Sequence, residues 1–415
     1  MIINFLGGCN EVGREAFIVS DRNTNVLLDY GVKLQPQIQL PAVPSLMLEG
    51  VFVSHAHLDH SGMVPLLFRL QRPRVFATSA TIDLMNLLLE DYIKVAKLTR
   101  GFSEYTSRDM GQMHKMFKKC DYYRNFRVGN LEAKLFPAYH IPGSSSIYLR
   151  GQKSIIYTGD ISLSRTHLLD YRRINYPKTD VLMMETTYGN EDHPDRLKEE
   201  QKLIRKIREY EGGVVLLPSF AVGRAQELLL MLHENGIKQD VYLDGMAQKA
   251  ADIILYHKNE LRDAKELREA MRKVNFVRTK KQRMKIVQSG GVVITTSGML
   301  SGGPICFYLK KVRDASNAAL LLTGYQAENT PGCKLLKTGF FENEEDGRYK
   351  VNIEIDKFDF SGHAGRRELI ELVGNIRPKK VICVHGEHTR KFADDVGSRF
   401  GIEALAPKNG DVLEV

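Results

Sequence analysis

Four side chains that can bind a metal ion lie within six positions of the chain: His55, His57, Asp59 and His60. An apolar run ends just before this segment and a helical pattern begins after it, so the loop follows a buried strand. Residues two apart in extended backbone face the same side, which lets His55 and His57 share one ion. Asp59 and His60 follow where the chain turns and can face a second ion. Three imidazoles and a carboxylate favour zinc over magnesium; a polar surface loop is the alternative.

Three further candidate ligands also follow strand-like runs. One loop cannot close two metal sites, so the remaining ligands must come from elsewhere in the chain. His140 follows the run Lys134 to Ala138, Asp160 follows Ile155 to Tyr157, and His385 follows Val381 to Val384. Strand ends converge on one rim in layered α/β folds. We therefore expect these three side chains to complete the site, although an isolated histidine after a strand is more often an ordinary polar residue.

The elements that carry these residues predict two domains. A chain of 415 residues is too long for one ordinary core. Short strands dominate the first half, whereas strands alternate with helices from about Asn190, as in a parallel sheet covered on both faces. The end of the chain returns to a strand–helix–strand pattern. We predict an outer domain formed by residues 1–189 and 356–415, interrupted by an inserted α/β domain at 190–355.

Composition limits the environment and the partners. The formal net charge of +9 favours polyanions, because lysine and arginine displace the counterions of a phosphate backbone; a solvated basic surface is the alternative. No apolar stretch has the length of a membrane span. The five cysteines are scattered without a C-x-x-C pair, which favours a reducing compartment. We expect a cytoplasmic protein that does not associate with membranes.

Several motifs, taken in order, carry a family resemblance. They are Leu28–Gly31, His55–His60, His140, Thr158–Asp160, Glu185–Gly189, Pro218–Gln226, Phe360–Ala364 and Val384–Glu387. With these motifs the chain resembles the β-CASP branch of the metallo-β-lactamase superfamily over essentially its whole length. Similar proteins include the endonuclease subunit of the mRNA 3′-end cleavage factor, ribonuclease J and short archaeal forms. The resemblance implies an α/β fold, a metallo-β-lactamase αββα sandwich with an inserted Rossmann-like β-CASP domain.

The resemblance also implies a role for each site residue. Two zinc ions per chain would hold a hydroxide and clamp the scissile phosphate. The first ion would be bound by His55, His57 and His140, and the second by Asp59, His60 and His385, with Asp160 bridging the two. Asp29 would accept a hydrogen bond from a ligand imidazole. Asp59 would also be catalytic, with His363 protonating the departing oxygen and Glu185 orienting it.

Substrate contacts are expected in the insert. Ser297, Gly298, Gly302 and Gly303 follow a strand and precede a helix, where backbone amides can receive a phosphate; an ordinary turn is the alternative. Similar segments of the family line the substrate cleft, and Ser219 and Arg224 are further candidates for phosphate contact. RNA is expected over DNA because DNA-repair members carry an apolar residue at the position of His385.

These observations predict a zinc-dependent ribonuclease that cuts single-stranded RNA by metal-bound hydroxide. Endonucleolytic cleavage is the first choice and 5′→3′ exonucleolytic trimming the second. Relatives suggest a homodimer. Two other classes of function stay open: a metallohydrolase acting on a small ester-type substrate, and a catalytically silent RNA-binding subunit of a cleavage complex. The inserted domain counts against the first, and the complete set of expected ligands counts against the second.

Overall fold

The computed structural model describes residues 1–35 and 37–415, which group into two compact units. The first unit contains Met1–Ser164, Tyr171–Asp192 and Gly362–Val415, and the second contains Arg165–Asp170 and His193–Ser361. The sequence placed the insert at 190–355 and did not separate the short segment Arg165–Asp170 from the outer domain. That segment belongs to the second unit because the backbone amides of His167 and Leu168 donate to the Glu227 carboxylate, at 3.0 and 2.7 Å.

The regular elements follow one another along the chain in three stretches. The chain up to Asp192 forms β1 (Ile2–Gly7), β2 (Ala16–Asp21), β3 (Thr24–Leu28), β4 (Gly50–Phe52), α1 (Leu58–Ser61), a 3₁₀ helix (Val64–Arg69), β5 (Arg74–Ala77), α2 (Ser79–Arg100), α3 (Ser107–His114), β6 (Phe117–Lys119), β7 (Asn125–Val128), β8 (Leu131–Pro137), β9 (Ser145–Arg150), β10 (Ser154–Tyr157) and β11 (Val181–Glu185). The stretch from His193 to Ser361 forms α4 (Arg196–Glu209), β12 (Val214–Pro218), α5 (Arg224–Glu234), β13 (Val241–Asp244), α6 (Ala247–Tyr256), a 3₁₀ helix (Lys258–Glu260), α7 (Ala264–Lys273), β14 (Asn275–Val277), α8 (Lys280–Ser289), β15 (Gly291–Thr295), α9 (Pro304–Val312), β16 (Ala318–Leu322), α10 (Pro331–Thr338), β17 (Phe340–Asn343), β18 (Gly347–Lys350) and β19 (Glu354–Lys357). The remainder forms α11 (Arg366–Ile376), β20 (Lys380–Val384), α12 (Thr389–Phe400), β21 (Glu403–Leu405) and β22 (Val412–Glu414).

Two seven-stranded sheets form the first unit. Their strand orders are β22-β1-β2-β3-β4-β5-β6 and β21-β20-β11-β10-β9-β8-β7. Apolar side chains from both sheets, among them Phe5, Phe17 and Leu135, share one buried core. On its other face the second sheet is packed against residues of α11 and α12, and α2 contacts β6 of the first sheet. The structure is thus the expected αββα sandwich.

Sharp turns follow four strands of this sandwich. Asp29 and Gly159 follow β3 and β10 closely, His385 comes directly after β20, and Tyr139 lies two residues beyond β8. All four have left-handed backbone, with φ of 57°, 55°, 47° and 57° for Asp29, Gly159, His385 and Tyr139. This conformation costs a non-glycine residue roughly 1–2 kcal/mol. The turns redirect the chain at the positions where the sequence places candidate ligands and their neighbours.

The second unit is built on six parallel strands in the order β14-β13-β15-β12-β16-β19. The central strands β12, β15 and β16 are buried along their whole length, as expected for a parallel sheet covered on both faces. The chain leaves β12 towards β13 and leaves the adjacent β15 towards β16, in the opposite direction. Such a reversal separates the two loops and creates a ligand-binding position at the carboxyl ends of the strands. Among the described residues, no helix is both long and apolar enough to span a bilayer.

Candidate metal centre

The predicted ligands of the first unit meet in two groups that share Asp160. Within each group the ligating atoms all lie within 4.8 Å of one another. The first group consists of His55, His57, His140 and Asp160, and the second consists of His60, Asp160 and His385. The convergence of strand ends therefore brings together side chains that are more than three hundred residues apart in the chain.

Each carboxylate oxygen of Asp160 faces a different group. Oδ2 lies 3.5 Å from His55 Nε2 and 3.6 Å from His140 Nε2. Oδ1 lies 3.1 Å from His60 Nε2 and 3.6 Å from His385 Nε2. Two ligands on one tetrahedral zinc ion are about 3.3 Å apart, because each bond is about 2.0–2.1 Å long. The separations in both groups are close to this value, so the donor atoms on either side of Asp160 have spacings that fit metal binding.

Unpartnered buried atoms provide a second test of the fit. His55 Nε2, His60 Nε2 and Asp160 Oδ1 are buried without a hydrogen-bond partner. A buried polar atom left in this state costs about 1–3 kcal/mol, so native proteins rarely retain several of them together. His57 Nδ1 and His140 Nε2 are 3.2 Å apart, the separation of two ligands on one ion. The residues present therefore fit a metal centre.

Asp59 groups with two of the predicted ligands, His55 and His60. It lies in α1, the single helical turn that also contains His60. Its carboxylate forms a group with His55 and His60, and no group within the described residues joins it to His385. The structure brings Asp59 and His60 together at the centre, while the shared role of Asp59 and His385 stays a prediction.

Asp29 contacts the ring of His60. Its Oδ2 is 2.7 Å from His60 Nδ1 and also accepts hydrogen bonds from the hydroxyls of Ser54 and Tyr157, at 2.7 and 2.8 Å. Burial opposes protonation of His60, but Asp160 and Asp29 outweigh it and hold the His60 pKa well above its usual value. A carboxylate on Nδ1 fixes the ring so that Nε2 points at the ligand position. The sequence did not single out Ser54 or Tyr157.

Glu15 holds the ring of His385 through Nδ1, as Asp29 holds the ring of His60. No sequence pattern predicted Glu15. Glu15 Oε1 lies 2.7 Å from His385 Nδ1, and both side chains are buried. The backbone amide of His385 also donates to Gly8 O, at 2.9 Å. Gly8 has φ of +80°, and a Cβ there would lie 2.0 Å from Glu15 Oε2. Burial raises the pKa of Glu15 to about 7. The only signal in the sequence was a charged residue directly before the apolar run that begins at Ala16.

Glu185 and His363 form a pair beside Asp160. His363 Nδ1 lies 3.0 Å from both carboxylate oxygens of Glu185, and Glu185 Oε1 accepts the Ile161 amide at 2.8 Å. Burial alone would lower the pKa of His363, but Glu185 and Asp160 outweigh it and raise the pKa above its usual value. The three side chains form a further compact group. The pair can therefore hold a proton next to the metal ligands.

The predicted substrate residues of the second unit follow its two central strands. Ser219 comes directly after β12 and Ser297 comes two residues after β15. Both hydroxyls are buried without a hydrogen-bond partner. The loops touch, because a Cβ on Gly298 would lie 3.2 Å from the Phe220 amide nitrogen. The two unpartnered hydroxyls therefore lie at the ends of adjacent strands within this unit.

Two helix starts border the same loops. Arg224 is the first residue of α5, and Gly303 directly precedes α9. Gly302 and Gly303 have φ of +158° and +79°, and a Cβ on Gly302 would meet nothing within 4 Å. Left-handed glycines before a helix present backbone amides to a ligand. The structure thus gathers all six predicted substrate residues around the ends of β12 and β15, and their contact with a phosphate stays a prediction.

Comparison with known proteins gives the family. The probable RNase MJ4 of Methanocaldococcus jannaschii is 38% identical over the full length of both chains. The chain belongs to the β-CASP family of metallo-β-lactamase-fold nucleases. The protein named RNase aCSPSF2 from Saccharolobus solfataricus is 36% identical over all of this chain and 85% of its own length. Transcription termination factor FttA of M. jannaschii is 35% identical over all of this chain and 71% of its own length.

Family models match the parts of this β-CASP protein separately. Residues 225–335 match the Beta-Casp domain, and residues 348–407 match the Zn-dependent metallo-hydrolase RNA specificity domain. Residues 9–196 match the model named anti-Pycsar protein Apyc1. A crystal structure of a protein of unknown function from Enterococcus faecalis V583 superposes with a TM-score of 0.63 at 16% identity, over 99% of both chains, which shows a shared fold. The family is one of zinc-dependent metallo-hydrolases that act on RNA.

Proposed function

We propose that this chain is a ribonuclease with two zinc ions that hydrolyses phosphodiester bonds of single-stranded RNA. Cleavage leaves a 5′-phosphate and a 3′-hydroxyl. Endonucleolytic cutting is the proposed mode, and 5′→3′ exonucleolytic trimming is the alternative. The names of the relatives, which include RNases and a transcription termination factor, support RNA as the substrate.

The position of Asp160 is the observation that carries the proposal. Its two oxygens face separate sets of histidines at 3.1–3.6 Å, which supports two ions sharing one carboxylate. When bound, such ions neutralise the scissile phosphate and lower the pKa of the attacking water. In this proposal His55, His57 and His140 bind one ion, and Asp59, His60 and His385 bind the other.

In this proposal His363 donates the proton. Glu185 holds His363 through Nδ1, which orients the ring and favours the protonated form. A proton from an imidazolium then passes to the departing 3′-oxygen, the step for which a general acid is needed. In the second unit, Ser219, Ser297 and Arg224 are proposed to contact the RNA phosphates, together with the amides of Gly298, Gly302 and Gly303.

The test uses single-stranded RNA labelled at its 5′ end, incubated with purified protein that is untreated, chelated, or chelated and then supplied with zinc. Internal fragments that disappear with chelator and return with zinc support an endonuclease. Immediate release of labelled mononucleotide would instead support the exonuclease. Mass spectrometry of the untreated protein is expected to give two zinc ions per chain.

Matched variants locate the activity. Asp59→Ala/His60→Ala is expected to abolish cleavage and reduce the zinc content. His233→Gln is the control, because His233 also forms a compact group with Glu266 and Glu269, but on α5 and α7 of the second unit. Wild-type cleavage by the double variant, or loss of cleavage in His233→Gln, would contradict the assignment. Bound metal without RNA cleavage would favour the small-ester hydrolase or the silent RNA-binding subunit.

The proposal also includes a homodimer in the cytoplasm. The dimer rests on the resemblance to relatives and the location on the scattered cysteines. Light scattering coupled to size-exclusion chromatography distinguishes twice the chain mass of 47.1 kDa from the mass of one chain.

A further inference from the structure

A cluster of tyrosine rings includes the residue that precedes a predicted metal ligand. Tyr139 directly precedes His140 in the chain, so its Cα lies about 3.8 Å from that of the ligand. Its ring meets the Tyr171 ring edge-on, with centroids 5.5 Å apart and planes at 80°. The Tyr139 hydroxyl also hydrogen-bonds to that of Tyr123 and to the Arg172 backbone amide. These contacts join three rings into one cluster, which is linked to the candidate centre through the Tyr139–His140 backbone.

The three tyrosine rings are only partly buried. The Tyr123 side chain is 55% exposed, and Tyr139 and Tyr171 are half-buried. The Tyr123 ring packs edge-on against Phe136, with centroids 5.5 Å apart at 87°, which leaves its orientation fixed but much of its surface open to solvent. By contrast, Tyr157 in the same unit is fully buried. Clustered, oriented and partly exposed aromatic rings are typical of a binding surface.

Positive charge surrounds the same rings. Arg172 acts on both Tyr123 and Tyr139, and Arg124, Arg172 and Arg173 are exposed. The Arg124–Asp121 ion pair of 3.3 Å is exposed on both sides, so it holds the guanidinium only weakly. Tyr171 lies near Arg173 and also near the carboxylates of Glu368 and Glu371, whereas Arg172 lies near Tyr123 and Tyr139.

We propose that this tyrosine surface, made of Tyr123, Tyr139, Tyr171, Arg124, Arg172 and Arg173, stacks the bases of single-stranded RNA next to the scissile phosphate. The proposal rests on the proposed function, because RNA must be the chain that reaches His140. Basic grooves with aromatic rings bind single strands irrespective of sequence, since every base has a flat face. The exposed Arg124, Arg172 and Arg173 also match a phosphate backbone better than a neutral protein surface.

The test compares RNA with a ribose-phosphate oligomer of equal length that lacks bases. Both carry the same backbone charge, so the difference in affinity reports stacking alone. Binding is measured by fluorescence anisotropy in chelator, where RNA stays intact. Tyr123→Leu/Tyr171→Leu is expected to bind RNA about tenfold more weakly and the abasic oligomer as the wild type does. Tyr123→Phe/Tyr171→Phe keeps the rings and should retain wild-type binding of RNA.

Two further arms keep the result interpretable. Tyr256→Leu is the control, because Tyr256 lies in the second unit and is 81% exposed; its RNA affinity should not change. The chain contains no tryptophan, so Tyr171→Trp provides a single fluorophore whose emission should be quenched by RNA and unaffected by the abasic oligomer. This arm also covers the case in which the leucine variant fails to fold.

Certain outcomes would overturn the proposal. Equal weakening of both ligands by the leucine variant would make the role structural or purely electrostatic, and tryptophan emission that RNA does not quench in Tyr171→Trp would place RNA elsewhere. Cleavage is scored separately with zinc. If the protein cuts RNA but the tyrosine variants bind it normally, the tyrosine surface fails and the proposed function stands. If binding depends on bases but no RNA is cut, the proposed function fails alone.

Discussion

Removing the negative charge of Glu15 tests whether this residue supports metal binding through His385. The two side chains are 0% and 2% exposed and 2.7 Å apart, so water cannot replace the lost partner. A buried hydrogen bond to a charged group contributes about 1.5–3 kcal/mol. Since 1.4 kcal/mol corresponds to a factor of ten, Glu15→Ala should weaken one zinc site roughly tenfold to a hundredfold, the range found for such partners of metal ligands. Glu15→Gln keeps an acceptor and should lie at the lower end.

Zinc content provides a readout that does not depend on cleavage. The protein is dialysed against zinc buffers of decreasing free concentration, and bound zinc per chain is measured by mass spectrometry. The wild type and the variants should keep the ion of the His55 group over the same range, whereas the variants should lose the ion of the His385 group at higher free zinc. Glu11→Gln is the matched control. It lies in the same loop between β1 and β2, but its carboxylate contacts Arg14 and Lys33.

Gly8→Ala tests the same role of Glu15 without removing its carboxylate. Its new Cβ would lie 2.0 Å from Glu15 Oε2, so the carboxylate must move while its charge stays. Like Glu15→Gln, it should weaken only one of the two sites. Thermal melting in chelator identifies any variant that is simply unfolded. Wild-type zinc curves for both folded variants would refute the argument that Glu15 positions His385.

Three further predictions concern the positioning of the site and the second unit. Gly31→Ala should lower both the melting temperature and the zinc content, since a Cβ there would lie 1.6 Å from the Asp59 carbonyl oxygen; a melting curve and a zinc assay check it, and an unchanged protein would contradict it. Burial alone would lower the pKa of His167. The neighbouring glutamates have the larger effect and raise this pKa above its usual value. The resulting stabilisation is present below about pH 6.5 and is lost as pH rises through the higher folded pKa. His167→Gln should therefore reduce the free energy of unfolding more at pH 6 than at pH 9, as measured by urea titration. An equal loss at both pH values would mean that the ion pairs of His167 do not stabilise the fold. Ser219→Ala/Ser297→Ala should raise KM for RNA and leave zinc content unchanged, whereas lost zinc would point to a structural role.

The predicted ligands could be found from sequence because their chemistry is visible one residue at a time. His55, His140 and His385 each combine a metal-binding side chain with a position at the end of an apolar run, and strand ends in such a fold converge. Glu15 gives no comparable signal. Its partner His385 is 370 positions away, and the two residues meet only because the two sheets pack on one core.

The assignment of the segment Arg165–Asp170 to the second unit likewise could not be predicted from sequence. Its composition does not differ from that of the neighbouring residues, so no sequence feature separates it from the outer domain. Its place in the second unit depends on the Glu227 carboxylate, which accepts two of its backbone amides, and on Arg262, whose amide donates to Leu168 O at 2.9 Å. Such long-range capping of a loop leaves no periodicity in the sequence.

Local preference and the final structure disagree most at the turns that follow the strands. Glycine and aspartate adopt left-handed backbone at low cost, so Gly159 and Asp29 agree with their positions. Tyr139 does not, because a bulky residue keeps such a conformation only where the surrounding structure enforces it. At His385 the enforcement is visible: Gly8 O accepts its amide and Glu15 holds its ring. The β1–β2 loop therefore both holds the backbone of this ligand and orients its ring.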